Sequence, residues 1–377
     1  MKLYKDIFCC LALVLFVAIP TLAESNKNLI ISGEFPSSSG ISINQCRPFL
    51  VATANEGVKS QVNSESEGSF QQGNQGLQNK NDNQVQDDSR FRALKRWYEA
   101  MIHRSSSFTV GFNPYGIAFD GAYIWVTNSG SVSVTKLKAS DGTVVATYSV
   151  GYIPSGIAFD GANIWVANSG SDSITKLRAS DGAVLGTYTV GFYPYGVVFD
   201  GAHIWVANSG SGTVTKLRAS DGTVLGSYAV GFNPRGVIFD GANIWVANSN
   251  SDSVTKLRAS DGSTLGTYGV GWIPKWLAFD GENIWVTNYG SGKVSKLRAS
   301  DGTILGKYPV GIYPYGIVFD GTNIWVSNAG SNNVVKLRTS DGAVLGTYNV
   351  GINPRGIIFD GTNIWVVNYD SGTITKL

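Results

Sequence analysis

An all-β fold is what this sequence predicts, and three observations carry the prediction. A unit recurs: Gly111, Gly151, Gly191, Gly231, Gly271, Gly311 and Gly351 each open a near-copy of the same forty residues. Repeats of this length build solenoids, propellers or arrays. Each unit divides into four short runs of β-branched and aromatic residues separated by turn chemistry. The last unit stops one run short at Leu377, while a matching run, Ser107-Phe108-Thr109-Val110, stands in front of the first unit. Together these predict a seven-bladed β-propeller of four-stranded antiparallel blades. An N-terminal strand at about 105–110 should close it by pairing in the last blade.

The unit at Gly151 shows the elements in order. Gly156-Ile157-Ala158-Phe159 is apolar on both faces and reads as the first strand. Asp160-Gly161-Ala162-Asn163 is a turn, and Ile164-Trp165-Val166-Ala167 is a second strand without a polar face. Asn168-Ser169-Gly170-Ser171 turns the chain again into a third strand, Ile174 to Arg178. Ala179-Ser180-Asp181-Gly182 leads to the fourth, Val184 to Val190.

A lone meander with two apolar faces has no stable existence in water. Radial stacking of like sheets covers both faces and protects the edges. One tryptophan per unit sets the scale: Trp125, Trp165, Trp205, Trp245, Trp285, Trp325 and Trp365. Burying ~150–250 Å² of each, at about 25 cal/mol per Å², gives roughly 4–6 kcal/mol of gross stabilisation per blade. These residues read as core.

The flanking sequence divides into three further parts. Residues 1–23 read as a signal peptide: Lys2 and Lys5, an apolar run Ile7 to Ile19, Pro20, and cleavage expected after Ala23. That run falls short of the ~17–25 residues that span a bilayer as a helix. Residues 24–89 are rich in Asn, Gln, Ser and Gly, and read as a low-complexity linker with too few apolar side chains to fold. Residues 90–104 place Phe91, Leu94, Trp97, Tyr98, Met101 and Ile102 at helical spacing, predicting a short amphipathic helix that docks on the domain at 105–377.

The formal net charge of +2 supplies no global field, which argues against nucleic acid as a partner. With Cys9 and Cys10 in the leader, Cys46 stands alone and no disulfide framework is expected. An exported monomer follows, secreted or periplasmic, with no transmembrane span after the leader is removed.

The repeats resemble the YVTN-type β-propeller repeat of bacterial extracytoplasmic proteins. The resemblance rests on Gly111, Pro114 and Gly116, on Trp125-Val126-Thr127-Asn128 and on the Ser140-Asp141-Gly142 turn, and it covers roughly 106–377. It implies that ligands bind on the face where fourth-to-first and second-to-third connections meet. The repeats are also distantly similar to NHL-type and streptogramin lyase propellers.

Positions identical in every blade read as scaffold. The first-turn aspartates (Asp120, Asp160 and their equivalents), the third-turn aspartates (Asp141, Asp181) and the third-strand bases (Lys136, Lys138) are expected to form turns and outer ion pairs. Departures from the repeat mark a site. The residue after each proline is Tyr115, Ser155, Tyr195, Arg235, Lys275, Tyr315 or Arg355. Trp276 replaces a glycine, so it should project into the channel or its mouth, with Trp272 four residues before it. Tyr289 and Tyr369 stand on second-to-third loops. The expected ligand-binding set is Tyr115, Tyr195, Arg235, Trp272, Lys275, Trp276, Tyr289, Tyr315 and Arg355. Aromatic faces beside cations suit sugars or peptides, so the expected partner is a protein, peptide or glycan of the cell envelope.

The streptogramin lyase family relies on histidine and glutamate for base-assisted elimination. Here only His103 and His203 exist; the first precedes the repeats and the second belongs to a first turn, on the face opposite the expected site. Asp172, Asp252 and Asp370 are spread over three blades. No catalytic residue, metal site or cofactor is expected, and a non-enzymatic binding scaffold is the favoured reading. An extracytoplasmic lyase or hydrolase and a purely structural cell-surface protein are the alternatives.

Overall fold

The structure, a computed structural model, describes residues 105–377. The expected leader, linker and amphipathic helix lie outside the described residues, as do Cys46 and His103.

Seven four-stranded antiparallel sheets form the domain. Blade two is representative: Pro154–Phe159, Asn163–Asn168, Ser173–Arg178 and Val184–Thr189, from the innermost strand outward. Blade seven is assembled from both ends of the domain. Ser106–Thr109 pairs antiparallel with Thr373–Lys376, placing Phe108 opposite Ile374. Innermost strands of neighbouring blades lie side by side around the whole ring, and Pro354–Phe359 of blade seven meets Pro114–Phe119 of blade one.

The core is a set of seams rather than one centre. Between blades one and two, Ala118, Trp125 and Val134 pack on Ile157, Ile164, Val166 and Leu177. Two glycine positions, the first kept in six blades and the second at six of the seven seams, permit this closeness. A Cβ on Gly156 would lie 2.0 Å from the Tyr195 carbonyl of the next blade. Gly182, at φ +76°, lies so close under the Tyr148 ring that a Cβ would meet it at 2.0 Å. Only glycine tolerates both conditions without strain.

Each indole N–H donates to its first-turn aspartate, as Trp165 does to Asp160 Oδ2 at 2.7 Å. The other Asp160 oxygen accepts the amides of Ala162 and Asn163. Burial resists ionisation of Asp160, but these donors outweigh it and hold the carboxyl below its ordinary range.

The expectation that the third-strand bases form outer ion pairs is corrected at the Lys136 position and its equivalents. Lys136 is 4% exposed. Its Nζ donates to the Ala179 carbonyl of the next blade at 2.7 Å and lies 4.8 Å from the Trp125 ring centroid. Burial lowers its pKa, against the opposing fields of Asp120 and Asp181. Trp and Tyr faces line the way, so the lysine stem is covered while its head finds carbonyls. Lys376 repeats the clamp on Ala139 at 2.9 Å and so helps close the ring. Outer ion pairs do form at the other expected position, two residues further on and equivalent to Lys138: Arg178 Nη1 stands 2.8 Å from Asp181, both half exposed.

One seam differs. Blade seven has no third turn among the described residues, and there the Lys336 ammonium lies 4.9 Å from the Trp325 ring centroid without the carbonyl clamp of the other seams. Trp325 is 8% exposed, whereas the other six seam tryptophans are fully covered.

Candidate functional site at the channel mouth

The residue before each proline holds a left-handed backbone, from Asn113 at φ 50° to Tyr313 at φ 57°. Ile153 and Ile273 share it, which is costly for a β-branched side chain. The connection is pinned by backbone bonds such as Ser169 N–H to the Ile153 carbonyl at 3.0 Å. Asp172 and Asp252 accept the amides of Tyr193 and Ile273, each from the following blade, at 2.8 Å. Asp370 accepts from the Asn353 side chain at 3.1 Å. These acids therefore brace the connections.

Beyond the bend, the post-proline side chains converge on the axis. Tyr115 of blade one and Tyr315 of blade six share a hydrogen bond between their hydroxyls. Tyr115 also meets Tyr195 edge-on, with centroids 5.4 Å apart. Ser155 is buried and spends its hydroxyl on the Ala167 and Pro194 carbonyls, leaving room for that contact. Tyr115 and Tyr315 are buried at 4% and 7% exposure and, with Tyr195, Tyr289 and Tyr369 packed against them, form an aromatic floor to the mouth. Burial raises the Tyr315 pKa and keeps its phenol neutral.

Three cations stand around this floor, each partly buried on an aromatic face. Arg235 Cζ lies 3.9 Å from the Tyr195 centroid, and its Nε donates to Asn233 at 3.1 Å. Arg355 Cζ lies 3.5 Å from Tyr369, 5.0 Å from Tyr115 and 5.4 Å from Tyr315. Lys275 Nζ lies 5.3 Å from Tyr289, which itself stacks on Tyr313 at 4.6 Å. Burial, then repulsion by Arg235 and Arg355, pulls the Lys275 pKa down to about 8. Among the described residues no carboxylate forms an ion pair with any of the three. The Arg355 Nε is buried without a hydrogen-bond partner.

Seven of the nine residues singled out from sequence thus meet: Tyr115, Tyr195, Arg235, Lys275, Tyr289, Tyr315 and Arg355. The two tryptophans stand elsewhere. Trp272 is 68% exposed on its fourth-to-first connection. Trp276 does not project into the channel; it packs against the core between blades five and six, beside Ala278, Trp285 and Ile317. The seam accounts for this. In the other six blades a Cβ at this position would fall 2.0–2.7 Å from the next blade's carbonyl, so a side chain here is steered into the seam.

No protein-family model matches the chain, nor does any curated protein sequence. Solved structures do. A Kuenenia stuttgartiensis hydrazine synthase chain is 20% identical, over 72% of this chain and 97% of its own, with a TM-score of 0.63. A streptogramin B lyase is 22% identical, over 72% of this chain and 96% of its own, with a TM-score of 0.62. The fold is a β-propeller. At such identities the likeness reaches no further than the fold.

One feature of the propeller escaped the sequence reading. The residue after every opening glycine is a large apolar one and is exposed: Phe112, Tyr152, Phe192, Phe232, Trp272, Ile312 and Ile352. They form an apolar crown on the face that holds the channel mouth. The available signal was an apolar residue placed in a connection in all seven units. Elsewhere, His203 bonds Asp200 at 3.2 Å in its first turn. A cleft beside Gly231, Ser251 and Thr267 is lined by hydroxyls, backbone and the apolar side chains of Ala229 and Val230, with no charged group. Among the described residues no three His, Cys, Asp or Glu side chains gather as a metal cluster would require.

Proposed function

We propose that this propeller is an exported, non-enzymatic binding scaffold that holds a cell-envelope partner on the channel-mouth face. One observation carries the reading: Arg235, Lys275 and Arg355 converge on tyrosine faces with no carboxylate beside them among the described residues. Gathering like charges costs free energy, and the equivalent positions of the other blades are neutral, so folding does not call for them. The crown around the mouth adds apolar contact area of the sort that marks interaction surfaces. The signal-like N-terminus supports export, and the partner is a protein, peptide or glycan encountered there.

The lyase alternative has a lyase among the similar folds in its favour. Among the described residues the mouth holds no histidine or unengaged carboxylate to act as a base: His203 is engaged by Asp200, and Asp172, Asp252 and Asp370 brace connections. The scaffold reading is tested by capture from envelope extracts. Replacing Arg235, Lys275 and Arg355 together by tyrosine, the residue of blades one, three and six, should abolish capture and leave the circular dichroism unchanged. Undiminished capture by a folded triple variant overturns it.

A further inference from the structure

We propose that Arg235, Lys275 and Arg355 form a site for one compact oxyanion, carboxylate or phosphate, which enters the channel mouth end-on and stops on the Tyr115–Tyr315 floor. This rests on the scaffold reading and names the chemistry that its ligand presents.

Geometry supplies the first argument. The three residues come from blades four, five and seven, and each follows the proline that starts an innermost strand, so all three stand around one tyrosine cluster at the mouth. Repulsion from both arginines reaches the Lys275 ammonium, so the three share one field. An anion among them would relieve that repulsion and replace the hydration that burial has removed.

Donor chemistry supplies the second. Arg355 is stacked on Tyr369 at 3.5 Å, which fixes the guanidinium plane and leaves its edge free to donate. Its Nε is buried and unpartnered, although the great majority of buried donors find an acceptor. Arg235 is stacked on Tyr195 and steadied by Asn233. A planar oxyanion takes paired N–H donors from such a fork, and an ammonium beside it adds charge.

The floor supplies the third. With Tyr115 and Tyr315 bonded to each other and buried, a ligand that enters the mouth to this level meets their rings. A ligand must present an end, and a terminal carboxylate or phosphate is an end that carries charge. The tyrosine faces of Tyr195, Tyr289 and Tyr369 flank the stem behind it.

The test is calorimetric titration of the full exported chain at pH 7 with three probes: a short peptide with a free C-terminal carboxylate, the same peptide amidated, and inorganic phosphate. Saturable binding of the free acid but not the amide upholds the site with a carboxylate source. Binding of phosphate upholds it with a phosphate source. Failure of both overturns it, as does binding of acid and amide alike without phosphate. Lys275→Tyr and Arg355→Tyr should each weaken binding about tenfold or more; unchanged affinity in either folded variant overturns the assignment. Affinity should fall as pH rises past 8, because the Lys275 ammonium, faced by Arg235, Arg355 and the Tyr289 ring, loses its proton. Binding that ignores pH between 7 and 10 in the wild type counts against Lys275. The two readings fail separately. Partner capture that depends on the trio while no oxyanion binds sinks the oxyanion and spares the scaffold. Oxyanion binding with no partner on this face does the reverse.

Discussion

At a seam, the Lys176 ammonium rests on Trp165 at 5.0 Å and donates to the Ala219 and Ser220 carbonyls of the next blade at 2.7 and 3.0 Å. At the channel mouth, the Lys275 ammonium rests on one tyrosine, shares its field with two arginines, and has no acceptor among the described residues. The seam version recurs around the ring, while the mouth version occurs once. Charge that serves the scaffold is thus paired within the chain, and charge that the chain leaves uncompensated sits where the repeat is broken. Seams and mouth should consequently respond oppositely to substitution.

The largest expected effect lies in a seam. Trp205→Ala removes a fully buried ring and the donor that holds Asp200, and should cost about 3–5 kcal/mol in denaturant unfolding. A loss below 1 kcal/mol would break the comparison. Next comes Gly196→Ala, whose methyl would stand 2.2 Å from the Arg235 carbonyl, with an expected cost of about 1–3 kcal/mol. Lys176→Met keeps the apolar stem but leaves two carbonyls of the next blade unpaired, and should cost roughly 1–3 kcal/mol by the same measurement. At the mouth, Arg355→Tyr should leave stability level or raise it, since it removes like-charge repulsion from a site the fold does not need.

The pH dependence sharpens the contrast. Lys275 titrates at about 8 when folded, below its ordinary 10.5, so between those values the unfolded chain binds more protons. Its contribution to stability therefore rises with pH from about 8 to 10.5, by an amount of order 3 kcal/mol, and should vanish in Lys275→Tyr. The seam aspartates act in the other direction. Asp160, Asp240 and Asp280 are held below their ordinary range despite burial, by indole and amide donors. Stability they supply is present above the unfolded carboxylate range and is lost as pH falls through their folded values. Acid unfolding should thus begin at the seams, read by tryptophan fluorescence. The smallest effect is at the rim, where Arg178→Ala breaks a half-exposed ion pair with Asp181 and should leave the melting temperature unchanged.

Much of the mouth was legible because it departs from the repeat. Aligning seven units shows where Tyr, Arg and Lys alternate after proline, and the family resemblance assigned that position to the binding face. Trp276 misled because its address was read along one chain segment. Its surroundings come from blade six, through Ile317 and its neighbours. The lysines misled for the same cause: Lys136 looks like a strand-end cation until its acceptor, forty-three residues away, is brought alongside.

The forty-residue period and the displaced fourth strand determined that seven blades close by pairing an N-terminal strand in the last one, and the structure supplied the register, Phe108 opposite Ile374. Apolar patterning is local, and a sheet with two greasy faces admits few arrangements. What only the tertiary structure decided is which charges meet. Arg235, Lys275 and Arg355 are forty and eighty residues apart, and their mutual field, their tyrosine floor and the unpartnered Arg355 Nε exist because ring closure brings distant strand starts to one axis. Electrostatic interaction follows distance in space, which the order of residues does not encode.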